Sequence, residues 1–182
     1  MIFFTSDLHF GHGNMIRSGQ RPFKTVEEMD RVCIQNWNCR VGPDDDIYIL
    51  GDFSMRGPRY ALEILKQLNG RKYLVRGNHD QFVDRASFDQ SAFVWIKDYH
   101  KLLFQGRQII LFHYPIEEWD QSHHGSIHLH GHQHNQAQYN AENAKRGFLR
   151  YDVGVDANGM APVSIEKIFV FFGLSLEKVV SP

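Results

Sequence analysis

Hydrophobic residues come in short runs along this chain, and most runs stop on a polar side chain able to bind metal or phosphate. Ile2-Phe3-Phe4-Thr5 reads as a strand that ends at Ser6-Asp7. Val26, Met29, Val32, Cys33 and Trp37 fall on one helical face, and Thr25 with Glu28 three residues on makes a capping box. A helix is therefore predicted from about Val26 to Asn38. Ile47-Tyr48-Ile49-Leu50 is a second strand and runs into Gly51-Asp52. Pro58 suits the first turn of the next helix, whose buried stripe is Ala61, Leu62, Leu65 and Leu68, with Gly70 ending it. Lys72 to Val75 forms a third strand that leads into Arg76-Gly77-Asn78-His79-Asp80. A hairpin follows, Tyr99 to Phe104 against Gln108 to Phe112, turning at Gln105-Gly106 and delivering His113. Ile127 to Leu129 ends at His130-Gly131-His132-Gln133-His134. Tyr151 to Val155 reads as a strand, and Pro162 to Ile168 opens a short closing helix and strand region.

Strands alternating with helices predict an α/β protein, and the hairpin and late strands predict that its sheet is mixed. No repeat, low-complexity tract or Pro/Gly/Ser linker divides the chain, so residues 1–182 are expected to form a single domain. Twenty basic residues against 21 acidic ones leave a net charge of -1. That balance argues against a disordered chain and against affinity gained by coating nucleic acid with cations. Apolar runs fall far short of the ~20 residues of a membrane span, and the N-terminus lacks the basic start and long apolar stretch of a secretory signal. A soluble, cytoplasmic protein without a membrane partner is expected. Cys33 and Cys39 match no zinc or redox spacing and read as buried or half-buried free thiols.

The 11 histidines change the picture. Separate strands finish in Asp7 and His9, in Asp52, in Asn78 and His79, in His113, and in His132 with His134. Ligands of open α/β sheets bind outside the carboxyl ends of the strands, where neighbouring loops converge. Asp-x-His and His-x-His in extended segments point both side chains to one side. Carboxylate and neutral imidazole are the ligands of zinc, iron, manganese or nickel, and the absence of thiolate excludes a structural cysteine site. Each piece alone also fits a plainer role: a solvated loop pair, a turn, a surface pair. Their succession, each after an apolar strand, is what gives them weight.

The series Asp7-Leu8-His9, Gly51-Asp52, Gly77-Asn78-His79-Asp80, His113 and Gly131-His132-Gln133-His134 resembles the calcineurin-like metallophosphoesterase superfamily. Ser6 to His12 and Leu129 to His134 resemble its small single-domain bacterial or phage-type branch. The likeness runs from Ile2 to about His134, with no departure in any block. It implies an α/β/β/α arrangement, a β-sandwich of mixed sheets flanked by helices, holding two divalent metal ions, manganese first, with iron, zinc, nickel or cobalt possible. One ion would be held by Asp7, His9, Asp52 and His134, the other by Asp52, Asn78, His113 and His132, with Asp52 bridging. His79 would reach the substrate phosphate or protonate the leaving oxygen, and Asp80 would orient it. The implied activity is hydrolysis of a phosphodiester or phosphomonoester by in-line attack of a metal-bridging hydroxide, on a small phosphate-ester substrate. Two alternatives stand beside it. A non-catalytic protein-binding scaffold would be signalled by lost ligands, and here every candidate is present. A metal-dependent nuclease is disfavoured by the near-neutral charge and the lack of a basic aromatic tract.

Around this set, His12 and Asn14 in the first loop and Arg56 after the second strand are candidates to touch substrate. Arg17 and Arg21 could also pair with phosphate, though solvated surface arginines are the plainer reading of all three. His130 is expected to be a hydrogen-bond donor behind the ligand pair. His123 and His124 read as loop, and His128 as a solvent-facing or hydrogen-bonded sheet residue. Trp95 and Trp119 read as packing residues, with Trp119 near enough to His113 to wall a pocket. Activity is expected to fall below about pH 6 as ligand histidines take protons.

Overall fold

The computed structural model describes residues 1–18 and 21–176. Strand β1 (Ile2–Thr5) is followed by a short helix α1 (Asn14–Arg17) and the long helix α2 (Val26–Arg40). Next come β2 (Asp46–Ile49), helix α3 (Pro58–Leu65), β3 (Arg71–Val75) and β4 (Trp95–Lys97). The hairpin β5 (Tyr99–Phe104) and β6 (Arg107–Phe112) leads to β7 (Ile127–His130), helix α4 (Ala137–Lys145), β8 (Arg150–Asp152), β9 (Val163–Ser164) and helix α5 (Ile165–Phe171). The Thr25 hydroxyl caps α2 by accepting from the Glu28 N–H at 3.1 Å, as the capping box requires.

Two mixed sheets result, one ordered β4-β3-β2-β1-β9 and the other β5-β6-β7-β8. In the first, only β9 runs antiparallel to its neighbour; in the second, only β5 does. Strand alternation divides the apolar residues between two cores. Phe3, Ile47, Ile49 and Leu74 face α2 and α3 and meet Met29, Cys33, Trp37, Ala61 and Leu65. Phe4, Tyr48 and Val75 face the second sheet and meet Ile109, Leu111, Ile127, Leu129 and Tyr151. Helix α4 packs on the far side of the second sheet, against β8. The layers are therefore α/β/β/α. Among the described residues no helix is long and apolar enough to cross a membrane.

The predicted Tyr151–Val155 strand is shorter in the molecule. After β8 the chain makes a single 3-10 turn, Val155–Ala157. Asn158 causes this, because its side-chain amide donates to the carbonyls of Asp152 and Gly154 at 3.0 and 2.8 Å, bonds a further strand would have used. Ser6 and Gly154 pair as a parallel bridge, which links the ends of β1 and β8 across the two sheets. Cys33 is buried, but Cys39 is exposed on α2, against the expectation that both would be covered.

Candidate metal centre

The carboxyl ends of β1, β2, β3, β6 and β7 converge, and they bring Asp7, His9, Asp52, Asn78, His113, His132 and His134 into one region. Two groups of donor atoms form there: Asp7, His9 and His134, and Asp52, His113 and His132, each within 4.8 Å of one another. In the first, the Nε2 atoms of His9 and His134 are 3.1 Å apart, and both lie about 4 Å from Asp7 Oδ1, at 4.0 and 3.9 Å. In the second, His113 Nε2 lies 3.0 Å from Asn78 Oδ1 and 3.7 Å from Asp52 Oδ1. Asp52 straddles the groups, because its other oxygen is 3.6 Å from His9 Nε2.

Convergence is achieved differently from the extended pairs that the sequence spacing implies. Asp7, His9, Asp52, His132 and His134 all have left-handed backbone, with φ between 51° and 74°. Asp and His tolerate this region better than most residues, yet each such residue costs on the order of 1–3 kcal/mol. The loops leave their strands so sharply that neighbouring segments touch. A Cβ on Gly131 would lie 1.9 Å from Ser6 Oγ and 2.2 Å from Asp7 Oδ2, so the turn that carries His132 can approach Asp7 only with glycine there.

The donor set fits divalent cations. Asp7 Oδ2 accepts from Ser6 Oγ at 2.6 Å and from the His132 N–H at 2.9 Å, whereas Oδ1 is buried with no hydrogen-bond partner among the described residues and faces two imidazole nitrogens. A buried carboxylate oxygen left unpaired is costly unless a cation meets it. Burial pushes the Asp7 carboxyl up to about 6, against the pull of His113, His134 and the Ser6 hydroxyl. Burial likewise drives His9 down to about 2, with His134 and Arg21 adding to the shift, so its ring stays neutral and able to ligate. His113 accepts or donates at Nδ1 with the Leu50 carbonyl, 2.7 Å away; since a carbonyl only accepts, Nδ1 carries the proton and Nε2 is free to ligate.

His79 stands at the edge, its side chain about 41% exposed and its Nε2 4.0 Å from Asp52 Oδ2, while its N–H donates to Asp52 Oδ1 at 2.9 Å. It opens on a cavity of about 200 Å³ lined also by Ser54, Met55, Pro58, Phe82 and Arg85. Asp80 does not orient the His79 ring. Its carboxylate accepts from the N–H groups of Asp52, Phe53 and Gly77 at 2.8, 2.9 and 2.8 Å and so ties the second and third loops together.

The peripheral residues sort by contact. His12 is half-buried, its ring 5.3 Å from that of His9 and its Nδ1 without a hydrogen-bond partner among the described residues. Asn14 accepts from Arg17, which occupies both side chains at the surface, and Arg56 lies over the Tyr60 ring at 5.0 Å. His130 does not stand behind the ligands: its ring bonds the Gly131 carbonyl and the Tyr139 hydroxyl on the α4 side. His128 is fully buried and bonded at both nitrogens, to the Ile110 carbonyl and the Ile116 N–H. His123 and His124 lie in an exposed 3-10 turn. Trp95 packs against Tyr73 and His100. Trp119 lines a separate cavity of about 470 Å³ with Glu117, His123 and Phe148, away from the metal donors.

Arg21 overturns its reading as a surface residue. Its side chain is wholly buried, and it donates from Nε and Nη2 to the two Asp156 oxygens at 2.9 Å each. The same guanidinium donates to the carbonyls of Asp7 and Leu8 at 2.5 and 2.9 Å. Asp156 in turn lies 2.9 Å from His134 Nδ1. Burial raises the Asp156 carboxyl, but the His134 and Arg21 contacts outweigh it and hold the group at about 2. Burial pulls His134 down, and the bond to Asp156 with the Asp7 charge outweighs that, leaving the ring above its ordinary value. Asp156 drew no attention in the sequence, although it follows a strand as the other ligand-region aspartates do.

A family model described as calcineurin-like phosphoesterase matches residues 1–145. The chain is 34% identical over 171 residues to the uncharacterized protein MJ1445 of Methanocaldococcus jannaschii, covering 92% of this chain and 88% of the relative. It is 29% identical over 193 residues to the gene 66 protein of Mycobacterium phage L5, covering 91% of each. Among solved structures, the protein of unknown function AQ665 from Aquifex aeolicus superposes with a TM-score of 0.71 at 28% identity, covering 92% of this chain and 97% of that one.

Proposed function

We propose that this chain, which belongs to the calcineurin-like phosphoesterase family, hydrolyses a small phosphodiester or phosphomonoester with two divalent metal ions, manganese first among them. The observation that carries the reading is the buried, unpartnered Asp7 Oδ1 facing the Nε2 atoms of His9 and His134, with Asp52 reaching from that group to the second. Asp7, His9, Asp52 and His134 would hold one ion, and Asp52, Asn78, His113 and His132 the other. Bound there, two divalent ions supply charge that offsets the negative charge of a phosphoryl group and lower the pKa of bound water toward neutrality.

The chain's own residues do the rest. The Leu50 carbonyl fixes the His113 tautomer, and the Asp80 carboxylate holds the loops that carry Asp52 and Asn78 at a set separation. His79 is the group exposed enough to meet substrate while remaining anchored through its N–H to Asp52. It would donate a proton to the leaving oxygen or hydrogen-bond a phosphoryl oxygen. The cavity of about 200 Å³ beside it, with Arg85 on its rim, suits a leaving group of modest size. His12, its ring 5.3 Å from that of His9, would touch the same phosphoryl group.

Hydrolysis of bis-p-nitrophenyl phosphate and p-nitrophenyl phosphate, side by side, tests this. Protein stripped with chelator and reloaded with manganese should turn over one ester in preference, and Asp52→Asn should abolish turnover. Absence of turnover with manganese, nickel, iron or zinc, in protein that binds two ions, would sink it.

A further inference from the structure

We propose that the buried Arg21–Asp156 pair is a positioning device that makes the two metal sites unequal: the ion at Asp7, His9 and His134 is the resident one, and the ion at Asp52, Asn78, His113 and His132 is the exchangeable one. The inference rests on the metal-dependent reading above.

The ligand histidines differ in what stands behind them, and His9 has nothing there: its Nδ1 is buried with no hydrogen-bond partner among the described residues. His113 is backed by a neutral main-chain carbonyl, that of Leu50. The His132 ring has ring contacts with His113 and Tyr114 but no side-chain hydrogen bond among the described residues, and the residue is only half-buried. His134 is backed by a carboxylate, at 2.9 Å from Nδ1. An acceptor at Nδ1 keeps the proton there and turns the unprotonated Nε2 toward the site; an anionic acceptor also makes the ring a stronger donor to a cation. That carboxylate is itself gripped by two guanidinium N–H groups and cannot swing away.

Arg21 does more than hold Asp156. Its remaining donors reach the carbonyls of Asp7 and Leu8, inside the segment that carries Asp7 and His9. One buried guanidinium therefore fixes the position of that segment relative to Asp156 and His134, residues far apart in the chain. All three ligands of the first group depend on it. None of the second group's side chains hydrogen-bonds Arg21 or Asp156. The pair also has no other evident partner in the site: both side chains are nearly or wholly inaccessible, at 0% and 5% exposure, so neither can meet substrate.

Manganese titration of chelator-stripped protein by calorimetry, with electron paramagnetic resonance to separate mononuclear from coupled dinuclear manganese, tests the assignment. Wild type should bind two ions in two phases. Asp156→Asn should weaken the tight phase about 10–100-fold, the loss typical when the partner behind a metal-bound histidine is removed, and leave the weak phase. Asp156→Glu, which keeps the charge, should recover part of it. His113→Ala should do the reverse, retaining one tight, mononuclear manganese. Should Asp156→Asn fail to fold, the double variant Arg21→Met with Asp156→Asn removes both charges together and carries the same expectation. Melting of the metal-free proteins separates loss of fold from loss of affinity. Two equal phases in wild type, or an unchanged tight phase in folded Asp156→Asn, would overturn the inference while leaving the phosphoesterase reading intact. Failure of wild type to bind manganese, cobalt or zinc at all would overturn both.

Discussion

Asp80 shows how one side chain can matter to a site without touching its chemistry. Both of its oxygens are committed to main-chain N–H groups of Asp52, Phe53 and Gly77. Asp80→Asn turns one acceptor into a donor that faces a donor, at an expected cost of about 1–3 kcal/mol in denaturant unfolding. His79→Ala should behave oppositely. It should leave stability and manganese stoichiometry unchanged and lower kcat about 10²–10⁴-fold if the ring transfers a proton in the rate-limiting step. An unaltered kcat would reassign His79 to substrate binding. At this scale the sequence disclosed which side chains converge, because Asp, Asn and His at strand ends have few other uses in such density. It hid Arg21 and Asp156. A lone arginine in a polar loop has the same local pattern whether it is solvated or buried in an ion pair, and only the fold reveals that a residue 135 positions on supplies its carboxylate.

Among the elements, β7 carries two kinds of histidine on one strand and turn. Ile127 and Leu129 face the core between the sheets, while His128 and His130 face the opposite side, beneath Trp119 and Tyr139. His128 is pushed down to about 3, first by burial and then by neighbouring His130. An unfolded chain would take up that proton near pH 6.5, so between about pH 3 and 6.5 the unfolded state binds more protons and stability rises with pH. His128→Asn should therefore flatten stability measured between pH 4.5 and 6 by up to about 1.4 kcal/mol per pH unit relative to wild type. Parallel slopes would refute the assignment. The strands and the helices α2 and α3 were legible because their buried faces are apolar. Helix α4 was not, since its buried residues are Asn140 and Asn143. Asn140 exchanges hydrogen bonds with the backbone of Asp152 and so stands in for a strand neighbour at the edge of β8, a role that leaves no hydrophobic period to read. Strand β4, three residues long, was too short for any pattern.

For the whole molecule, the apolar cores on both faces of the first sheet sustain a site that opposes folding. Left-handed backbone at Asp7, His9, Asp52, His132 and His134, and a buried Asp7 carboxylate with an unpaired oxygen, are all unfavourable in the metal-free protein. Asp7 makes the sign explicit. Its folded pKa, about 6, lies above the ordinary 3.8, so the folded state binds more protons in that interval, and stability falls as pH rises through it. Asp7→Asn removes the buried charge, and its amide can meet the facing imidazole nitrogens. Without metal at pH 7, this variant should melt above wild type. Manganese should then reverse the order. A ligand that binds only the folded state at 100 times its Kd adds about 2.7 kcal/mol, or about 5–10 °C in Tm for a chain of this size; wild type should gain this and Asp7→Asn should not. The gain should shrink as pH falls, starting above the ordinary imidazole value of 6.5, because His134, held above that value, must lose a competing proton before it can ligate. Activity should fall over the same interval. A wild type that melts above Asp7→Asn in chelator, or a manganese-induced shift that persists undiminished at pH 4.5, would show that the fold bears no such cost and that the metal is held in some other way.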